Sequence, residues 1–436
     1  MTMNGKREVI ENGAVAVRGS EIAWVGKADW VAIQEDQPVR TLDTTGKLVI
    51  PGLVNAHSHL AMTIFRGLVD DQPLEAWLGR IWPLEAVYAT EANVRAGVQL
   101  ALAEMIRGGI TCAADMYWQL HVATRVAREA NFRLVNGPTF TEIVGPDGIM
   151  PENRERRARA YLEEYLDDPL VRCCIQVHST YTASRAMLER AQRLAGEYQL
   201  PFITHASESK VEVETVSSRF GMTPIEYIDS LGLLGPRTLL AHCVHLRDDE
   251  VALLKERGAS VAHCPESNLK LGNGIARVPY MLKAGVRVAL GTDGAATNND
   301  LDMFGEMRTA ALIHKGVSMD PTVMNAEEVF AMATINGAGA LGLAGRIGSL
   351  EPGKLADIAL VSLAAPHMTP YYNVYSQLVY TANKSDVTGV MIHGRPVMED
   401  RQLLTLDEEA IKSSVRDLAA TIGGSLVERG PEPAEG

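Results

Sequence analysis

The run from Leu48 to Leu60, LVIPGLVNAHSHL, sets two histidines one residue apart at the end of an almost unbroken apolar stretch. On a β-strand, residues i and i+2 point to the same face, so His57 and His59 project side by side. Paired imidazoles commonly begin a metal site, yet two histidines at a strand end can also do no more than hydrogen-bond there. The rest of the chain has to decide between these readings.

From Leu48 onward, short apolar runs alternate with amphipathic stretches. After LVIPGLVNAHSH come GGITCAADMY, FRLVNGPTF, VRCCIQVHS, PFITHASE, TLLAHCVHL, GASVAHCPESN and VRVALGTDGAA, separated by helical patterns such as NVRAGVQLALAEMIRGG and SRAMLERAQRLAGEYQ. Eight β-then-α units in series predict an α/β fold, a (β/α)8 TIM barrel over residues 50–348. The opening segment NGAVAVRGSEIAWVGKADW and the stretch from GRIGSLEPGKLADIALVSL to VTGVMIHGRPVMED read instead as short strands with glycine turns. Residues 1–49 and 349–424 are therefore expected to form one small β-sandwich domain from both chain ends. The last segment, 425–436, is expected to be a disordered tail.

The 436 residues are 46% hydrophobic and 22% charged, the composition of a globular protein. A formal charge of −13 argues against a nucleic-acid partner, and the basic letters of NRERRARAYLEEYLDD are offset by the acids that follow them. Cys112, Cys173, Cys174, Cys243 and Cys264 lie mostly in apolar runs, without CxxC spacing, and read as buried thiols in a reducing compartment. No signal-like segment or run of 18 apolar residues occurs, so a cytoplasmic protein with a small-molecule substrate and no membrane partner is expected. A homo-oligomer is compatible with this composition, which does not set the number of copies.

In a barrel of this kind the active site is built at the C-terminal ends of the strands. The polar outliers fall there: His57 and His59, His178, His205, His242, His263 and Asp293. His178 alone could be an ordinary strand-end histidine, His245 a loop cap, and His263 part of the loop that follows it. His121, His314, His367 and His393 have no strand-end context and read as surface or structural residues. Three imidazoles, His57, His59 and His205, with Asp293 make an N/O donor set suited to one Zn²⁺, with Fe²⁺ as a substitute. A bound metal would bring a water's pKa towards ~7. Glu208, three residues past His205, could protonate a ring nitrogen while water attacks the adjacent carbon. His242 could orient that water and Asp293 take its proton.

The motifs PGLVNAHSHLAMTIFRGLVDDQPLEAWL, DMY, AHCVHL, SNLKLGNGIA and LGTDGAATNN resemble the amidohydrolase superfamily, and within it the 5-methylthioadenosine/S-adenosylhomocysteine deaminases and their chlorohydrolase-like relatives. The resemblance covers nearly the whole chain. It implies a zinc-dependent hydrolytic deaminase of a 6-aminopurine nucleoside, with one metal on His57, His59, His205 and Asp293. It also implies Glu208 as proton shuttle, His242 on the water, Glu85 on the ribose hydroxyls and His178 on the purine. Trp82, with Trp77, would close over the base or simply pack under a helix. The chain departs from the family pattern in two places. A strand usually present ahead of its first residues is missing, so the N-terminal sheet is expected to lack an edge strand or the start site to be misassigned. Pro138 stands about where members that prefer S-adenosylhomocysteine carry an arginine, leaving Arg154 as the nearest cation for an amino-acid tail.

Three other readings compete. An aminohydrolase of guanine, a pterin or an s-triazine would use the same metal chemistry, though a free base needs no diol acceptor such as Glu85. A two-metal cyclic-amide hydrolase would need a lysine at the end of the fourth strand, and VRCCIQVHS has none. An inactive scaffolding relative would be free to lose Glu208 or a ligand, yet the whole set is present.

Overall fold

The run Leu48–Leu60 is two strands belonging to two different sheets. Lys47–Pro51 pairs antiparallel with Ile358–Ser362, whereas Leu53–His59 is the first barrel strand and pairs parallel with Ile110–Asp115. The break falls at Pro51-Gly52, where proline has no N–H for a ladder. A Cβ on Gly52 would lie 2.1 Å from Thr111 Oγ1, so only glycine lets the chain cross from one sheet to the other. The computed structural model describes residues 1–29 and 40–429. Part of the expected N-terminal β-region and residues 430–436 of the expected tail lie outside the described residues.

Beyond Leu53–His59 and Ile110–Asp115, the barrel strands are Arg133–Asn136, Val171–Cys173, Phe202–Ala206, Thr238–His242, Ser260–His263 and Arg287–Leu290, all in parallel pairings. The third, fourth and eighth strands resume after short interruptions as Thr139–Phe140, Ile175–Val177 and Asp293–Gly294. Asp293 then pairs with Ser58 and Gly294 with His59, returning the eighth strand to the first. Asn55 and Thr292 tie the same two strands by reciprocal hydrogen bonds of 2.7 and 3.0 Å. Gly291 permits this approach, since a Cβ there would lie 2.9 Å from His57 Cβ. The barrel interior is filled by small and branched side chains from successive strands, among them Val54, Cys112, Val135, Ile203, Leu239, Ala262 and Ala289.

The small domain is a sandwich. Its larger sheet runs in the order Gln402–Leu403, Arg395–Glu399, Val387–Ile392, Ile358–Ser362, Lys47–Pro51. Its smaller one is the hairpin Gly13–Arg18 with Glu21–Lys27, and no strand precedes Gly13 among the described residues. Ile22, Leu350, Ala356 and Ile358 are buried between the sheets, flanked by Val15, Val25 and Val49. The C-terminal part, expected to be β throughout, also contains a helix, Glu408–Arg429, that runs past the expected start of the tail at 425. It buries Ile411 and Ile422, and Glu408 accepts a hydrogen bond from Arg107 of the barrel helix Glu91–Arg107 at 2.9 Å. Apolar residues spaced at helical period are satisfied here by a barrel helix instead of a sheet. No helix among the described residues is long and apolar enough to cross a membrane.

Candidate active site

Parallel strands deliver their last residues to one end of the barrel, and the expected donors meet there. His57 Nε2 and His59 Nε2 lie 3.6 and 3.2 Å from Asp293 Oδ1, and His205 Nε2 lies 3.4 Å from His59 Nε2. Asp293 and His242 both have left-handed backbone, φ +60° and +72°, a strained conformation for non-glycine residues that their strand-end hydrogen bonds hold in place. Ser267 Oγ and Thr297 Oγ1 donate to Asp293 Oδ2 at 2.6 and 2.9 Å, leaving Oδ1 towards the imidazoles.

The cluster fits a cation. His59 Nδ1 lies 2.5 Å from the Met116 carbonyl and His205 Nδ1 2.6 Å from that of His178, so both rings donate from Nδ1 and keep a lone pair on Nε2. Those two lone pairs then face each other, and His57 Nε2 is buried with no hydrogen-bond partner at all. A cation between them relieves this arrangement, and in its absence a proton on His59 does so. Burial drives His57 down to about 4 and His205 well below its ordinary value. Burial opposes a charge on His59 too, but the Asp293 carboxylate beside it prevails and lifts that ring to about 9. The site therefore calls for positive charge, and donors about 2.1 Å from one tetrahedral metal are spaced much as these are.

Around this cluster lies a cleft lined by Trp77, Trp82, Glu85, His178, Glu208 and His242, among others. His242 Nδ1 is 2.9 Å from Asn268 Oδ1, and its Nε2 is 3.7 Å from Glu208 Oε2. Glu208 Oε1 accepts from Asn273 Nδ2 at 2.9 Å, and burial pushes its carboxyl above the usual range. His245 Nε2 donates to the Asn273 carbonyl at 2.8 Å, bracing the residue that holds Glu208. Glu85, Trp77 and Trp82 come from the helix Leu74–Tyr88, which follows the first strand and covers the cleft. Glu85 is 3% exposed; Trp118 Nε1 donates to its Oε2 at 3.4 Å, the Tyr117 hydroxyl lies against the same carboxylate, and burial pushes its carboxyl up to about 7. The Trp82 and His178 rings meet edge-to-face at 6.3 Å, and His178 Nδ1 is 3.0 Å from Thr182 Oγ1.

One expectation fails. Arg154 is not among the residues lining the cleft and lies beside a neighbouring cavity. Its guanidinium donates to the carbonyls of Thr141, Thr139 and Ile143 at 3.1, 3.3 and 2.9 Å and pairs with Asp147 at 3.2 Å. Leaving these partners to meet a substrate would strand three carbonyls, so Arg154 shapes the third-strand loop. His263, for which a loop role stood beside the strand-end one, lies outside the cleft: its Nε2 lies 3.2 Å from that of His314, a buried structural residue. The expected readings did not single out Asn268, Asn273, Ser267 or Thr297, whose polar letters in SNLKLGN and TDGAATNN look like ordinary loop residues until the fold aims them.

Residues 48–397 match the amidohydrolase family. The 5-methylthioadenosine/S-adenosylhomocysteine deaminase of Syntrophobacter fumaroxidans is 47% identical over 97% of this chain and 96% of its own. The 5'-deoxyadenosine deaminase of Methanothermobacter thermautotrophicus is 42% identical over 95% and 96%. Among solved structures, a zinc-bound adenosine deaminase from Xanthomonas campestris superposes with a TM-score of 0.94 at 38% identity, over 96% of this chain and 95% of that one. An imidazole–carboxylate cluster shaped for one cation at the mouth of a (β/α)8 barrel, with a match over most of the chain, makes this protein a metal-dependent member of the amidohydrolase family.

Proposed function

We propose that the protein hydrolytically deaminates a 6-aminopurine nucleoside, releasing ammonia and the inosine-type product, and that it favours substrates with a small uncharged 5′ group. Such substrates are 5-methylthioadenosine, 5′-deoxyadenosine and adenosine. The observation that carries the reading is one cleft holding the cation-shaped cluster, the buried Glu208 and, on the covering helix, the buried Glu85 carboxylate. Zinc, held by His57, His59, His205 and Asp293, supplies Lewis acidity and a water of lowered pKa.

The chain's own residues do the rest. With Nδ1 committed to Asn268, His242 turns Nε2 to the attacking water as acceptor. Asp293 takes the proton that the water sheds. Glu208, held by Asn273, protonates N1 of the ring as C6 becomes tetrahedral; the proton taken by Asp293 passes to the amino group, which leaves as ammonia, and the proton of the C6 hydroxyl returns Glu208 to its acid form as the C6 carbonyl forms. Glu85 Oε1 accepts from the ribose diol, a partner that guanine or an s-triazine lacks. His178 hydrogen-bonds the purine, and Trp82 covers it.

The preference for an uncharged 5′ group rests on the lining. Its charged residues are Glu85, Glu208, Glu212, Asp293 and imidazoles, with no Lys or Arg among the described lining residues, and Arg154 is committed elsewhere. The tail carboxylate of S-adenosylhomocysteine would lose its hydration without a cation to replace it. A charge-assisted contact is worth roughly 1.5–3 kcal/mol, which is about 10–100-fold in kcat/KM. Ammonia release from purines, nucleosides, pterins and triazines tests both levels. Turnover of free bases alone overturns the nucleoside reading, and a preference for S-adenosylhomocysteine overturns the 5′ preference. Five buried, unpaired cysteines support a reducing, cytoplasmic setting.

A further inference from the structure

The helix Leu74–Tyr88 reaches the cleft through Trp77, Trp82 and Glu85, but its first turn makes a separate contact. Glu75 Oε1 accepts a 2.9 Å hydrogen bond from Ser209 Oγ. Ser209 directly follows Glu208 and is 6% exposed. Its hydroxyl oxygen also accepts from Glu212 N at 3.1 Å, capping the helix Lys210–Phe220, and Glu212 Oε2 accepts from Glu208 N at 2.7 Å. A hydroxyl has one proton to give. Given to Glu75, it leaves a lone pair aimed at the Glu212 amide, and so orders the turn whose carboxylate holds the Glu208 backbone.

We propose that Glu75 and Ser209 form a latch that fixes Glu208 when the covering helix seats, which makes Ser209 a positioning residue for the proton shuttle; this rests on Glu208 having that role. Glu85 lies ten residues beyond Glu75 on the same helix, about 15 Å at 1.5 Å per residue. A nucleoside that engages Glu85 at one end draws the helix down, and the latch at the other end aligns Glu208. Proton transfer depends on placement, and a misplacement of about 1 Å can cost as much as 10²-fold in rate.

The test uses the metal-loaded full chain. Glu75 is exposed, so Glu75→Ala removes the latch while keeping Ser209, the residue that caps the helix Lys210–Phe220. In Glu75→Ala without substrate, amide hydrogen exchange should quicken about tenfold in residues 74–88 and in 206–213, where the Glu208 amide reports directly. With substrate, kcat should fall about 5–20-fold while KM moves less than about threefold, because the missing contact acts on placement in the reaction step. Ser209→Ala, which loses the cap as well as the latch, should lower kcat at least as far, Ser209→Thr should keep most of the rate, and the double variant Glu75→Ala/Ser209→Ala should be no worse than Ser209→Ala alone. Unchanged exchange at 206–213 in Glu75→Ala overturns the latch, as does quickened exchange with unchanged kcat, or single effects that multiply. A wild-type protein that turns over no aminopurine nucleoside refutes the proposed function instead, and the exchange measurement still judges the latch by itself.

Discussion

The two ends of the barrel each bury a polar cluster, and the two clusters differ in how fully their atoms are satisfied. At the N-terminal end, Arg133 opens the third strand and meets Asp357 through two hydrogen bonds of 2.7 and 3.0 Å. Arg133 also donates to the Pro169 carbonyl at 2.9 Å, and Asp357 Oδ1 accepts from His393 N at 2.8 Å. At the C-terminal end, buried polar atoms such as His57 Nε2 and Trp77 Nε1 make no hydrogen bond. A buried polar atom left alone costs on the order of 1–3 kcal/mol. The first cluster joins the small domain to the barrel base and is complete within the chain. The second leaves polar atoms free to meet a cation and a ligand.

That contrast can be broken from either side, and the largest effect should come from the metal. Dialysis against a chelator should abolish turnover and lower Tm, and added Zn²⁺ should restore both. With zinc at 1,000 times its Kd, linkage alone contributes about 4 kcal/mol. Elemental analysis should find one ion per chain, and full activity in metal-free protein would refute the site. Next, Glu208→Gln should cut kcat by about 10²–10⁴-fold with metal content and Tm unchanged, since Gln keeps the hydrogen bond with Asn273 but cannot carry a proton.

The base should behave in the opposite way. Asp357→Ala leaves the Arg133 guanidinium buried and unpaired, and should destabilise the fold by about 3–5 kcal/mol in denaturant titration while kcat per folded molecule stays as it was. The smallest effect sharpens the comparison within the cleft. Glu85→Gln should raise KM for nucleosides about tenfold, a loss of ~1.4 kcal/mol, with little change for a free aminopurine. Because burial puts the Glu85 carboxyl at about 7, its acceptor pair exists above that pH and is lost by protonation below it. Nucleoside KM should therefore rise as pH falls through 7, and the Gln variant should flatten that rise.

Much of the site was legible because strand-end residues of a parallel barrel share one face whatever the loops do. That rule alone gathers His57, His59, His205, His242 and Asp293, and the structure brings them together. It misleads at His263, whose strand ends like the others but whose ring turns to His314. It is silent on Arg154, since a loop arginine looks available until the loop's own carbonyls surround it. The helix Glu408–Arg429 went unread because its apolar positions make sense only against the barrel helix that covers them.

The order of apolar runs and the residues that end them were enough to determine the architecture and to bring the candidate donors to one end, because strand periodicity and the parallel arrangement are local consequences of composition and chain direction. Tertiary structure alone decided which polar groups are free. Asn268, Asn273, Ser267 and Thr297 take up one atom each of His242, Glu208 and Asp293 and so dictate what the other atoms can do. Hydrogen-bond capacity is set by neighbours distant in sequence, and no reading of spacing along the chain can show which lone pair is already spent.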